Sequence, residues 1–116
     1  MIFNSLKIKK TNLSNRVVVS PMCQYSSKNG SPSVWHYKHL GSLICSGASM
    51  IVIESTAVSK AGRITKKDLC LYNSNHLRDF KKLIKYLKSL NNIPIIIQLS
   101  HSGKKGSSQI PWIKSN

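Results

Sequence analysis

Cys23, Ser55 and Gln98 follow three apolar runs, Val17-Val18-Val19, Met50-Ile51-Val52-Ile53 and Ile93-Pro94-Ile95-Ile96-Ile97. A thiol, a hydroxyl and a carboxamide are groups that can orient a ligand, and the carboxamide both donates and accepts. Each also has a plainer reading: Cys23 as a small buried hydrophobe, Gln98 as a simple strand terminator. Tyr25, two residues beyond Cys23, offers a ring face and a hydroxyl, and by itself reads as a loop aromatic. His36 and His39 are three apart on a predicted helix, but no third ligand stands at credible spacing. Helix packing is therefore expected and no metal site.

The elements that must position these groups follow from periodicity. Val17–Val19 is a β-branched run without alternation, the mark of a strand buried on both faces, and Ser20-Pro21 closes it because proline cannot donate to a central ladder. The second and third runs read alike, ending at Glu54-Ser55-Thr56 and at Gln98-Leu99-Ser100-His101. Between the first two lies a helix from about Val34 to Cys45, with Ser33 as N-cap, Trp35, Leu40, Leu43 and Ile44 as its apolar side, and Gly47 just past its end. Between the second and third, Leu77, Phe80, Leu83, Ile84, Leu87 and Leu90 recur at three- and four-residue steps. Arg78, Lys81, Lys82, Lys85 and Lys88 fall largely on the other face, which predicts a helix from about His76 to Leu90 with Asn91-Asn92 at its end. The first fourteen residues suit a half-exposed hairpin. Buried strand, helix, buried strand, helix, buried strand is the βαβαβ pattern of a parallel sheet in an α/β fold.

Composition narrows the partners. The formal charge is +15, with 18 basic residues against three acidic ones, which makes a small basic nucleic-acid-binding module the alternative function. No helix-turn-helix, zinc finger or aromatic-basic interleaving accompanies the charge, so a lysine-rich helix face standing in water is the plainer reading. Cys23, Cys45 and Cys70 are widely spaced without a C-x-x-C, so a reducing cytoplasm is expected. Neither a secretory signal nor a membrane-spanning run is expected.

Ligands of parallel α/β folds gather beyond the carboxyl ends of the strands. There, Asn15-Arg16-Val17-Val18-Val19-Ser20-Pro21-Met22-Cys23-Gln24-Tyr25, Ile53-Glu54-Ser55-Thr56-Ala57-Val58, Gly62-Arg63-Ile64 with Asp68-Leu69, and Gln98-Leu99-Ser100-His101-Ser102-Gly103-Lys104-Lys105 stand in order, with Trp35-His36 and His39 between them. Together they resemble the old yellow enzyme family, in its bacterial type with a cysteine after Pro-Met. The resemblance implies an FMN-dependent (β/α)8 barrel, an NADPH dehydrogenase or ene-reductase. Such an enzyme passes hydride from NADPH or NADH to the alkene of an α,β-unsaturated carbonyl compound. It implies further that Ser20, Pro21, Met22 and Cys23 line the isoalloxazine ring and that Cys23 tunes the flavin. Ser55 and Gln98 would meet the flavin pyrimidine, and Tyr25 would project into the substrate cavity.

Four positions depart from the family pattern. Ser55 stands where a small residue is usual, Lys104 where an arginine is usual, and Tyr72 where a tryptophan is usual. Cys70 replaces a glycine, at a strain cost if that turn needs a positive φ. A (β/α)8 barrel needs about 250 residues. The expected architecture is thus an N-terminal portion, about three βα units with the hairpin over 1–14, forming part of one FMN-binding domain across 1–116. No complete catalytic constellation is expected in the chain, and a homo-oligomer or a complementing C-terminal fragment is the expected protein partner.

Overall fold

The computed structural model describes residues 1–106 and 108–113. Strands β1 (Leu6–Ile8) and β2 (Thr11–Leu13) form an antiparallel hairpin in which Leu6 faces Leu13, turning at Lys9-Lys10 with Lys9 at φ 51°. The hairpin lies at the amino end of the main sheet, where Ile8, Thr11 and Leu13 border a hollow shared with Met50, Pro94 and Ile95.

The main sheet is parallel and centred on β4 (Met50–Ala57). One edge of β4 carries β6 (Ile95–Ser100) along almost its whole length. The other edge is shared: β3 (Val18–Val19) pairs with Met50 and Ile51, and β5 (Leu69–Cys70) pairs with Thr56 and Ala57. Crossovers α1 (Val34–Ile44) and α2 (Ser74–Leu90) cover one side of this sheet. The core is Leu40 and Ile44 of α1, Ile51 and Ile53 of β4, Leu69 of β5, and Phe80, Leu83 and Leu87 of α2. Burial of each such side chain contributes about 1.5–3 kcal/mol.

Several sequence expectations require correction. The first strand is not buried on both faces: Val19 is half-buried on the helix side, while Val18 is exposed on the other. By alternation Met50, Val52, Ile96 and Gln98 share that second side, which no helix covers among the described residues. The second strand runs two residues past Ser55 and the third two past Gln98, because backbone pairing continues through polar residues to Ala57 and Ser100. On α1 the buried stripe is His36, Leu40, Gly41 and Ile44, and Trp35, one step off it, is exposed. On α2, Asn73 caps the start by accepting from the His76 N–H, and Leu77 and Leu90 are exposed rather than packed. Asn91 caps the end of α2 as expected, its N–H donating to the Leu87 carbonyl at 3.1 Å, and its side chain also serves the end of α1, donating to the Ile44 carbonyl at 3.0 Å.

Cys70 carries no positive φ; it is an ordinary strand residue, fully buried. Its bulk is accommodated by Gly30, whose φ is +83° and where an added Cβ would lie 2.8 Å from the Cys70 Cβ. Asp68 shapes the turn before β5. It is buried and accepts from the Ile64 N–H (2.6 Å), the Thr65 N–H (3.0 Å) and the Thr65 hydroxyl (2.9 Å).

Candidate functional site at the strand ends

The site begins where β3 ends. Pro21 cannot extend the ladder, so the middle of that edge of β4, between the stretches paired with β3 and β5, is met by the loop after Pro21. The Gln24 N–H donates to Glu54 Oε2 at 3.1 Å, and the Ser55 backbone N–H lies near enough to the Cys23 sulfur to favour its thiolate. Further along, the Ser27 N–H bonds the Lys67 carbonyl at 3.0 Å, tying the loop to the approach of β5.

On the opposite edge the ladder slips. Ile53 pairs with Ile97 and Thr56 with Leu99, so Glu54 and Ser55 together oppose the single residue Gln98. This is a β-bulge, and it breaks the alternation of side chains. Ile53 enters the core beneath the helices, and Glu54 turns the same way, its Oε1 lying 3.7 Å from His36 Nε2 of α1. Ser55 is thereby delivered to the open side, where its hydroxyl shares a hydrogen bond with that of Ser100.

The residues singled out from the sequence distribute as follows. Cys23, Ser55 and Gln98 meet at one level of the sheet: Cys23 on one edge of Ser55, Gln98 across the other. Gln98 is exposed on the open side, and its carboxamide has no hydrogen-bond partner among the described residues. Ser20 and Met22 are exposed and Pro21 half-buried along the approach to Cys23. Tyr25 is half-buried at φ 47°, its ring centroid 5.9 Å from that of Trp112. Its hydroxyl is within hydrogen-bonding reach of the Cys23 sulfur. Burial first, and then the Glu54 carboxylate, push the Cys23 thiol up from its ordinary value, so it stays protonated at neutral pH. Burial, followed by Cys23 itself, raises the Tyr25 phenol in the same direction.

The histidines are engaged separately. His36 is fully buried, with Nδ1 bonded to the Ser33 N–H and hydroxyl, whereas His39 stacks on Trp35 at 6.0 Å between centroids. Among the described residues no three His, Cys, Asp or Glu side chains come together as a metal site. His101 is exposed and accepts from the Gly103 N–H, next to the short 3-10 turn Gly103–Lys105 that holds Lys104 and Lys105. Sequence reasoning missed Glu54, His36 and Ser100 as partners of the site. Glu54 did carry a signal, being one of only three acidic residues and lying directly after an apolar run.

Comparison with known proteins matches the profile of the NADH:flavin oxidoreductase / NADH oxidase family to residues 1–111. An NADH:flavin oxidoreductase of Gibberella zeae is 36% identical over 115 residues, covering 99% of this chain and 28% of the relative. An NADPH dehydrogenase of Bacillus subtilis is 39% identical over 106 residues, covering 90% of this chain and 31% of the relative. Among solved structures, the old yellow enzyme from Trypanosoma cruzi superposes with a TM-score of 0.81 at 19% identity, over 90% of this chain and 28% of that one. Morphinone reductase gives 0.77 at 20% identity, over 86% of this chain and 26% of that one. The chain thus spans about three tenths of the length of these relatives. Its fold is part of their (β/α)8 barrel, about three βα units with the hairpin. FMN is the cofactor that goes with this family, with NADH or NADPH as hydride donor. No described helix is long and apolar enough to cross a membrane. The basic face of α2 is partly engaged internally, Arg78 and Lys82 by Asp79 and Lys88 by the Ile93 carbonyl, and nothing in the comparisons favours a nucleic-acid module. The chain belongs to the NADH:flavin oxidoreductase / NADH oxidase family.

Proposed function

We propose that this chain forms the FMN-facing wall, at its first three strands, of an oxidoreductase that moves hydride from NADPH or NADH to the alkene of an α,β-unsaturated carbonyl compound. The observation that carries the reading is the meeting of Cys23, Ser55 and Gln98 at one level of the sheet. The donor set fits a flavin. Gln98 offers an amide with no hydrogen-bond partner among the described residues, able both to donate and to accept, as the alternating carbonyl and N–H edge of a pyrimidine requires. Ser20, Pro21, Met22 and Cys23 would line the ring, with Cys23 as a neutral thiol at its edge able to adjust the reduction potential by hydrogen bonding. When bound, FMN supplies hydride acceptance and hydride transfer. The chain's own contribution is to orient the ring and, through Tyr25, to border the substrate.

On this reading residues 1–116 belong to one FMN-binding domain, with the hairpin over 1–14 at the amino end of its sheet. The exposed apolar side chains of Val18, Met22 and Ile96 suit burial against further barrel strands, supplied by a complementing C-terminal portion, or against a second copy. A reducing compartment such as the cytoplasm suits three unpaired cysteines.

The test is titration of the purified chain with FMN, followed by flavin fluorescence. The expected result is saturable quenching that Gln98→Ala weakens roughly three- to tenfold, the equivalent of one hydrogen bond. Quenching equal in both proteins, or absent from the wild type, would reject Gln98 as a flavin ligand.

A further inference from the structure

The backbone just after Cys23 is held by a buried acid that the flavin reading does not use. We propose that Glu54 is a positioning residue for Cys23: held toward α1 beside His36, it takes up the Gln24 N–H, fixes the Met22–Cys23 segment, and keeps a negative charge under the sulfur.

His36 sets the geometry. Its Nδ1 accepts from the Ser33 N–H at 3.0 Å, so in the neutral imidazole the proton resides on Nε2. That N–H is fully buried, has no hydrogen-bond partner among the described residues, and faces Glu54 Oε1 at 3.7 Å. A carboxylate only 5% exposed is costly to bury without donors. Glu54 has one direct donor, the Gln24 N–H, and one N–H aimed at it from α1. Gln24 is clamped at three points: its N–H on Glu54, its Nε2 on the Met22 carbonyl at 2.9 Å, and its Oε1 on the Trp35 indole N–H at 3.0 Å. Consecutive residues of α1 therefore reach the cysteine loop by two routes, Trp35 directly and His36 through Glu54.

The electrical consequence falls on the thiol. Glu54 and, less strongly, Asp68 oppose its ionisation in addition to burial, while the Ser55 N–H and the Tyr25 hydroxyl favour the thiolate. The bearing of this on a flavin rests on the proposed function above, but the thiol chemistry does not.

The thiolate is the reactive form, so alkylation reads the effect without any cofactor. The full chain is treated with iodoacetamide across the neutral and alkaline range, and Cys23, Cys45 and Cys70 are quantified separately by peptide mass spectrometry. Glu54→Gln keeps an acceptor for the Gln24 N–H and removes the charge; Glu54→Asp keeps the charge. Cys23 in Glu54→Gln is expected to react roughly three- to tenfold faster near neutral pH, because removing the opposing charge favours the thiolate. Cys23 in Glu54→Asp should stay near wild type, exposed Cys45 should be unchanged, and buried Cys70 should stay protected in both. An unchanged Cys23 rate in Glu54→Gln with Cys70 protected overturns the proposal. So does opening of Cys70 in both variants, which would make Glu54 a core-stability residue only. The FMN titration succeeds or fails independently of either result.

Discussion

Gly30 is the position where a single methyl group should do most damage to the loop carrying the site. Two costs add there. The backbone is left-handed, at φ +83°, which a side chain tolerates at a cost of roughly 1–2 kcal/mol. A Cβ would also fall 2.8 Å from the Cys70 Cβ, 2.8 Å from His76 Nε2 and 2.9 Å from the Cys70 sulfur. Cys70 is tethered by its own N–H to the Gly30 carbonyl at 2.8 Å, and His76 Nε2 is bonded to the Asn29 carbonyl at 3.1 Å, so neither can retreat without losing a bond. Overpacking of this kind costs about 1–3 kcal/mol. Gly30→Ala should thus lose roughly 2–5 kcal/mol, the sum of the two. Gly47 is the internal control: its φ is +87°, yet nothing lies within 4 Å of a built Cβ, so Gly47→Ala should lose only the backbone part, about 1–2 kcal/mol. Urea unfolding of both variants measures the difference. Cys70→Gly, which removes the opposing Cβ, should make the double variant with Gly30→Ala less destabilised than the sum of the single changes. Equal losses at Gly30 and Gly47, or strict additivity in the double variant, would refute the steric argument.

Alkaline pH supplies a second check. Burial is the main cause that raises both the Cys23 and Cys70 thiols above their ordinary value, so the folded state holds these protons more tightly than the unfolded chain. Stability from this source is complete below the unfolded value and is lost as pH rises toward the folded values. The urea midpoint should therefore fall above about pH 9, and Cys70→Ala should flatten that fall; a midpoint level through the alkaline range would contradict it. Asp68→Ala removes the acceptor for two backbone N–H groups and the Thr65 hydroxyl, and should lose about 3 kcal/mol, with faster amide exchange at Ile64 and Thr65. Retained protection at those two amides would show that the turn does not depend on the carboxylate.

The helices were legible in the sequence and the strand ends were not, for a physical reason. A 3.6-residue period survives in composition, and α2 declares itself through Phe80, Leu83 and Leu87, with only its margins, Leu77 and Leu90, lying outside the contact. On α1 the stripe runs through His36, Leu40 and Ile44, and a buried histidine looks polar in sequence while Trp35 looks apolar. Reading by type alone shifts the face by one residue. The strands extend through Glu54-Ser55-Thr56 and Gln98-Leu99-Ser100 because backbone pairing is indifferent to side-chain polarity, and a bulge is a property of two strands together rather than of either sequence. β5 has two residues, too few for any pattern. The members of the site were recognisable through motif resemblance, but the Glu54–His36 contact joins residues 18 apart through a side chain that sequence marks only as polar.

What makes this level of the sheet suited to a ligand is that the ladder fails there on both edges of β4. On one edge Pro21 ends β3 before the ladder can reach Glu54 and Ser55, which are met instead by the loop carrying Cys23 and Gln24. On the other, the bulge sets two residues against Gln98 and leaves that carboxamide facing open space. With Ile53 in the core, a regular ladder would have turned Glu54 to the open side and Ser55 toward the helices. The bulge reverses this, assigning Glu54 to α1 and Ser55 to the open side, so that on the proposed function anchoring to the helices and facing the flavin fall to adjacent residues. Deletion of Glu54, which restores one-to-one pairing with Gln98, should leave the ladder and the Ser55–Ser100 contact intact while freeing the Gln24 N–H and His36 Nε2. Loss of FMN quenching with backbone exchange of the strands unchanged would show a site that needs the carboxylate turned inward by the bulge, and retained quenching would show a site that merely lies beside it.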